Sequence, residues 1–509
     1  MLTMDEHLHG KKWILLFSLL FISDLFLEAL FMFLRPMYVE FNDFIGDMIG
    51  VYTNYILIIM LIFLIPLIYS GFFIVKHAIK IKRVHEIKPS IFNRILSAFL
   101  LLLIVGFFIV LIIVFGENAV ILLYVLEYYL PFISFVLIIA SLLLLYAFTD
   151  ELLALLKKPK IKTFYSQVKR YLPLAVTFLF FSWLLIMPLV FQPVYVLRGE
   201  LPPKPLIIAH RGGARYAPEN TIAAAMYVNQ IDADGWEIDV QISSDGIPFL
   251  MHDGTLLRTT NVSDEFPARA EEPASSFTIS ELKQLNAGQW FIDRDPYKMI
   301  AKGKAPTNLM TVFSIAYIPT LEEAMIYSKV AGLLVDVDFK SPPETHPFYD
   351  QFFNISLNVL IAADYANSTW VTSYNPEWLD LTESLAPAIT TALSLGFPDR
   401  ISVEDFQATG YDMLNSPHER PNRLLRDYNA NNVTINVWTV NMASRFQQLW
   451  ALGVSSVTTD EPIVYLEIDN PKLLISRKTY VSVWIVSYLL AIATVLYVKS
   501  YSMKKKKKQ

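Results

Sequence analysis

Five apolar runs, each long enough to cross the ~30 Å hydrocarbon layer of a bilayer, occupy residues 13–34, 51–75, 95–115, 120–148 and 172–197, and a sixth follows at 481–498. In lipid every backbone polar group must be satisfied within its own segment, so such runs fold as helices. The sequence therefore predicts an α-helical polytopic membrane region. Residues 1–198 hold five transmembrane helices and residues 476–509 hold a sixth helix with a polybasic tail. The first run is too long for a cleavable signal peptide and lacks a small-residue cleavage site.

Loop charge sets the orientation, because basic loops stay cytoplasmic. Lys11 and Lys12 precede the first run, and Lys76, Lys80, Lys82, Arg83, Lys88 and Arg94 follow the second. Lys157, Lys158, Lys160, Lys162, Lys169 and Arg170 precede the fifth, and Lys504 to Lys508 end the chain. Around the first and third loops stand Glu40, Asp43, Asp47, Glu117 and Glu127, with Arg35 as the basic exception. Six spans then place both termini in the cytoplasm and residues 199–475 outside the cell or in a lumen. Four Asn-x-Ser/Thr tripeptides, at Asn261, Asn354, Asn367 and Asn432, fall in that portion and have the form of glycosylation acceptors. Inside the first run, Asp24 and Glu28 share one helix face. Carboxylates within a span are costly and mark function by default; the plainer alternative is hydrogen bonding to neighbouring spans.

The portion from 199 to 475 reads as a soluble domain. Overall the chain is 54% hydrophobic, above the roughly 45–50% of soluble proteins, and the excess sits in the apolar runs. A net charge of −5 and the lack of a basic stripe with interleaved aromatics argue against a nucleic-acid partner. The count of cysteines is 0, which excludes disulfides, thiol catalysis and cysteine metal sites. After a stiff Leu201-Pro-Pro-Lys-Pro linker, strand-like runs at 206–209, 235–242, 333–339, 370–373, 389–393, 401–403, 435–440 and 455–459 alternate with helical stretches at 221–230, 348–362, 376–385 and 443–452. Eight strand–helix units over this length predict an α/β TIM (β/α)8 barrel, whose chemistry sits at the C-terminal ends of its strands. Residues 255–319 are too long for one ordinary connection and predict a partly structured insertion near that rim.

The polar residues cluster at those strand ends. Glu237 and Asp239, two apart on a strand, point to one face, and converging carboxylates repel unless a cation lies between them. Asp338 offers a third carboxylate; Asp336 lies on the same face of its strand, so spacing leaves the choice between them open. Oxygen-only ligation suits one divalent cation, Mg²⁺ or Ca²⁺, with Mn²⁺ a third candidate. His210 and His252 each follow a strand-like run and can serve as general acid and base. Arg211 and Lys340 add fixed positive charge, arginine being suited to phosphate oxygens. Gly212 and Gly213 permit close backbone approach. Glu219 opens a helix, where it can cap and hold Arg211 in support of the site. A cation, two acid–base groups and two cationic side chains together indicate metal-assisted transfer of a phosphoryl group to water.

HRGGARYAPENT, GWEIDVQISSDGIPFLMHDGTLLRTTNV, VWTVN and TTDEP resemble the glycerophosphodiester phosphodiesterases across residues 205–465. LNAGQWFIDRDPY, with five runs before the barrel and one after, resembles the six-span eukaryotic branch with an outward-facing catalytic domain. The resemblance implies hydrolysis of a glycerophosphodiester to an alcohol and glycerol 3-phosphate. It implies His210 and His252 as the acid–base pair, and Glu237, Asp239 and Asp338 as metal ligands. Arg211 and Lys340 are implied as phosphate-binding, and Trp438 as a wall of the pocket. Asp338 departs from the family's usual glutamate, which puts metal affinity in question. Alternatives are lysophospholipase D or phospholipase C-type cleavage of membrane lipids or glycosylphosphatidylinositol anchors. A different class would be a receptor or transporter that binds a phosphodiester without cleaving it. The expected partners are a glycerophosphodiester or lysophospholipid substrate and the lipid bilayer. The expected location is the plasma membrane or, from the Lys506-Lys507 pair near the end, the endoplasmic reticulum.

Overall fold

The structure is a computed structural model that describes residues 53–82, 90–115, 196–396, 399–471 and 474–507, together with scattered positions between Phe17 and Glu28 and at Leu179, Ile186 and Leu189. It divides into two units, one of residues 1–199 with 474–509 and one of residues 200–473.

In the first unit, long helices run Tyr55–Lys82, Ile91–Phe115 and Arg477–Lys507. Among the described residues, one helix segment, Tyr55–Ile74, is long and apolar enough to cross a membrane. The run at 120–148 lies outside the described residues, as do most of the runs at 13–34 and 172–197. Phe17 stacks on Phe73 at 3.7 Å between ring centroids. Leu20, Leu27, Phe63, Leu100 and Ile104 belong to the same buried apolar cluster. Asp24 is fully buried there, and its carboxylate oxygens meet no hydrogen-bond donor among the described residues. Val196–Leu197 pairs in parallel with Ile475–Ser476, so the two ends of this unit's chain are tied together.

Among the described residues, the second unit is built on nine strands: β1 Leu206–Ala209, β2 Gly235–Ile242, β3 Pro248–Leu250, β4 Leu334–Phe339, β5 Thr369–Ser373, β6 Thr390–Ser394, β7 Met413–Pro417, β8 Thr434–Trp438 and β9 Ser456–Thr459. Eight of them are parallel and form a closed ring, because β1 pairs with both β9 and β2. β3 folds back antiparallel on β2, with Val240 opposite Leu250. A strand covered on both faces reads as a continuous apolar run, and every residue of β2 is buried. The helices Ile222–Gln230, Leu321–Ala331 and Val403–Thr409 start at Thr221, Thr320 and Ser402, whose side chains accept from the first-turn backbone. These caps satisfy donors that a helix end otherwise leaves orphaned.

Seven of the eight expected strands lie within a residue or two of their sequence positions. The eighth is corrected: residues 401–403 are not a strand, and Met413–Pro417 is. Ser402 instead caps a helix, accepting from the Asp405 N–H at 3.0 Å. β7 carries little strand signal because Asn415, Ser416 and Pro417 make up most of it. Asn415 donates to Ser394 Oγ at 3.0 Å and accepts from Asn436 at 2.9 Å, so the barrel interior here is a satisfied polar layer. Residues 255–319 form the expected insertion of short helical turns, packed into two apolar clusters around Phe291 and Phe277. The 201–205 linker lies on the barrel, where Trp450 Nε1 donates to Pro202 O at 2.9 Å.

Ring closure demands close backbone approach at one point on β2. A Cβ at Gly235 would stand 2.4 Å from the Leu334 carbonyl oxygen of the neighbouring strand. Gly235→Ala should therefore cost about 1–3 kcal/mol through overpacking against backbone, read as a lower thermal unfolding midpoint of the full chain.

Candidate active site

The first turn of the site depends on glycine. After β1 the chain makes a tight turn at His210–Gly212 in which Arg211 itself has φ 52°. Gly212 follows at φ +81°, where a Cβ would lie 2.5 Å from Ala224 Cβ. The turn directs the Arg211 backbone N–H to Glu237 Oε2 at 2.9 Å, so β1 and β2 are joined through a carboxylate. Asn220, also left-handed at φ 57°, holds Asp239 from both sides. Its Nδ2 donates to Asp239 Oδ2 at 2.7 Å and its Oδ1 accepts from the Asp239 N–H at 3.0 Å.

β2 and β4 run in register, with Glu237 beside Asp336 and Asp239 beside Asp338. One oxygen each from Glu237, Asp239 and Asp338 lies within 4.8 Å of the others. The pairing also distinguishes the two acids of β4. Asp336 sits one step deeper and accepts from Thr372 Oγ1 at 2.5 Å, whereas Asp338 joins the cluster. Burial, then the Asp239 carboxylate, push Glu237 up to about 8. Burial also works to raise Asp239, but the Lys340 and Arg211 charges hold it below its ordinary value. Lys340 Nζ is 3.0 Å from Asp239 Oδ1 and 2.5 Å from Asp338 Oδ2. Three carboxyl groups at this range, two of them buried and that of Asp338 half-buried, are hard oxygen donors of the kind that suits Mg²⁺ or Ca²⁺, so the residues fit a divalent cation.

His210 and His252 line the same cavity of about 210 Å³ as the three acids, Arg211, Lys340 and Trp438. Each histidine is held through Nδ1 by an aspartate: Asp460 at 2.7 Å from His210, and Asp253 at 2.9 Å from His252. That contact orients each ring and leaves its Nε2 facing away from the aspartate. Burial alone would lower His210, but Asp460 and then Glu237 outweigh it and raise the ring to about 9. Asp460 is itself gripped by Asn441 Nδ2 at 2.5 Å. Trp438 ends β8, and its buried indole N–H meets no acceptor among the described residues.

Glu219 stands behind the site. It accepts from Arg211 Nη1 at 3.2 Å and from two nitrogens of Arg258 at 2.7 Å each. Sequence reasoning assigns no role to Asp460, Asp253 or Arg258. Asp460 is findable, because it follows directly on β9 at a C-terminal strand end, where barrel chemistry gathers. Arg258 sits in the insertion and carries no such signal. Of the four sequon asparagines, Asn354, Asn367 and Asn432 are exposed. Asn261 is half-buried, and its amide oxygen accepts from the Asn286 N–H at 2.8 Å.

Asp253 offers a pH test. Burial tends to raise its carboxyl, but hydrogen bonds from His252 and Arg258 hold it well below the usual carboxylate range. A depressed folded-state value adds stability above the unfolded value of about 3.9 and loses it as pH falls below that. Urea titrations should show the wild type more stable than Asp253→Asn at neutral pH, with the difference shrinking in acid.

Comparison with known proteins gives the site a family. The model of the glycerophosphoryl diester phosphodiesterase family matches residues 210–464, half of the chain. The mouse (Mus musculus) protein glycerophosphoinositol inositolphosphodiesterase GDPD2 is 32% identical over 349 residues, covering 66% of this chain and 61% of its own. Glycerophosphodiester phosphodiesterase domain-containing protein 5 of Gallus gallus is 33% identical over 315 residues, covering 59% of this chain and 49% of its own. The chain thus spans less than two thirds of the length of either relative. A solved Oleispira antarctica phosphodiesterase in complex with the product sn-glycerol-3-phosphate is 25% identical with a TM-score of 0.43, covering 52% of this chain and 95% of its own. On the match of the family model, this chain belongs to the glycerophosphoryl diester phosphodiesterase family.

Proposed function

We propose that this protein hydrolyses a glycerophosphodiester to an alcohol and glycerol 3-phosphate. One observation carries the reading: two aspartate-anchored histidines and a cluster of three carboxylates line a single cavity. Arg211 and Lys340 orient the phosphate and offset its charge. One histidine takes the proton of the attacking hydroxyl, and the other gives a proton to the departing oxygen, each through the Nε2 left available by its aspartate. Glu237, Asp239 and Asp338 would hold a divalent cation. When bound, it would polarise the phosphoryl oxygens and stabilise the charge that builds on them. Trp438 supplies an apolar wall with a donor at its edge.

The full chain in lipid nanodiscs with Mg²⁺ or Ca²⁺ should turn over at least one of glycerophosphocholine, glycerophosphoinositol and lysophosphatidylcholine. Glycerophosphoinositol is included because a relative bears that substrate in its name. His252→Ala should lower the rate by about 10²–10⁴-fold, and a chelator should abolish it reversibly. No turnover of any substrate, or turnover indifferent to His252→Ala and chelation, would overturn the reading.

The charge distribution of the loops supports six spans with both termini cytoplasmic and the barrel on the outer or lumenal face. Sequons at Asn354, Asn367 and Asn432 are exposed, as glycan carriers must be. Expression with microsomes should give a mass shift that endoglycosidase removes and that Gln replacements at these three positions reduce stepwise. An unshifted chain whose barrel is open to added protease on sealed microsomes would contradict that orientation.

A further inference from the structure

Arg258 lies outside the cavity, yet it touches the supports of two residues that line it. Its guanidinium makes two forked ion pairs. Nε and Nη2 donate to Asp253 Oδ2 and Oδ1 at 2.6 and 2.9 Å. Nη1 and Nη2 donate to Glu219 Oε2 and Oε1, both at 2.7 Å. Asp253 Oδ1 is the atom that meets His252 Nδ1, and Glu219 Oε1 is the atom that meets Arg211 Nη1. An unbroken chain of charged contacts thus runs from His252 through Asp253, Arg258 and Glu219 to Arg211. Paired forks of this kind fix direction as well as charge, which a lysine ammonium cannot do.

The insertion holds the guanidinium from its other side. The Arg258 Cζ stands 5.9 Å from the Trp290 ring centroid, and Arg294 Nη1 donates to the Arg258 carbonyl at 2.8 Å. Both residues belong to the helix Gln289–Arg294. Trp290 is in turn seated in the apolar cluster with Phe291 and Phe313. The side chain is therefore braced between an apolar wall and two carboxylates.

We propose that Arg258 is a positioning residue that sets the orientation of His252 through Asp253 and ties it to Arg211 through Glu219, and that the insertion serves to hold it there. This rests on the hydrolase reading for its catalytic consequence, not for its structural one. Without Arg258 the Asp253 carboxylate loses both bonds that aim it, and its contact with His252 Nδ1 is no longer held in place. The imidazole then samples both tautomers, and the proton sits on Nε2 part of the time.

The test uses the 509-residue chain in nanodiscs. Arg258→Gln and Arg258→Lys should each lower kcat by on the order of 10- to 100-fold, as losses of outer supports do, with a smaller effect on KM. Lysine should fail to rescue, because it keeps the charge and loses the fork. The double variant Asp253→Asn with Arg258→Gln should be no worse than the poorer single variant, as expected for one linked unit. A second readout needs no turnover: ¹⁵N-histidine spectra, with the His252 signal assigned by its loss in His252→Asn. Wild type should show His252 as the Nδ1–H tautomer, and Arg258→Gln should show a mixture. Rescue by lysine, or loss of rate that follows only the folded fraction measured by thermal unfolding, would overturn the proposal. An unchanged His252 tautomer in Arg258→Gln would overturn it whether or not the wild type is active. A silent wild type with a shifted tautomer would sink the substrate reading alone.

Discussion

Three carboxylates brought to within 4.8 Å of one another dominate the electrostatics of the barrel. Like charges at this separation, withdrawn from water, repel strongly unless positive charge is supplied. The surrounding structure supplies it in a graded way. Lys340 reaches Asp239 and Asp338, Arg211 reaches Asp239, and its backbone N–H reaches Glu237. Asn220 adds a neutral donor and acceptor that hold Asp239 in one orientation. The left-handed turns at Arg211, Gly212 and Asn220 follow from this demand, because they aim backbone and amide groups at the acids. Such local strain persists only where the surroundings overdetermine it.

The same logic extends outward in alternating donors and acceptors. Each histidine is backed by an aspartate, and each aspartate by a further donor: Asn441 behind Asp460, and Arg258 behind Asp253. Alternation keeps each partly or wholly buried polar group partnered, which lowers the cost of withdrawing it from water. It also explains the insertion. The apolar clusters around Phe291 and Phe277 supply the packing that fixes Trp290 and, through it, the guanidinium of Arg258. The insertion is then as much a part of the site's rigidity as the barrel strands are.

Much of this is legible in the order of the amino acids. The alternation of apolar strands and helical stretches points to the barrel, because side-chain period and strand length are local properties. Glu237 and Asp239 announce themselves by standing two apart in an otherwise apolar strand. The rest is hidden for one reason, that its partners lie elsewhere in the fold. Asn415 and Ser416 of β7 look like loop residues, and Asn415 is tolerable in a strand only where Asn436 and Ser394 complete its hydrogen bonds. Residues 401–403 have the apolar spacing of a short strand, but Ser402 caps a helix that the spacing does not reveal. The choice between Asp336 and Asp338 is open for a similar reason: both face inward, and Thr372 on the next strand separates them.

By itself, then, the sequence determined most of the elements, the apolar runs of membrane length and the chemical kinds of the candidate site residues. These follow from composition and spacing along the chain. Only the tertiary structure decided which acid completes the cluster, which oxygen restrains each histidine, and how Glu219 and Arg258 join them. Those contacts link residues up to 250 positions apart, as His210 is from Asp460. Strand register places them within hydrogen-bonding distance, and register exists only once the ring of strands has closed.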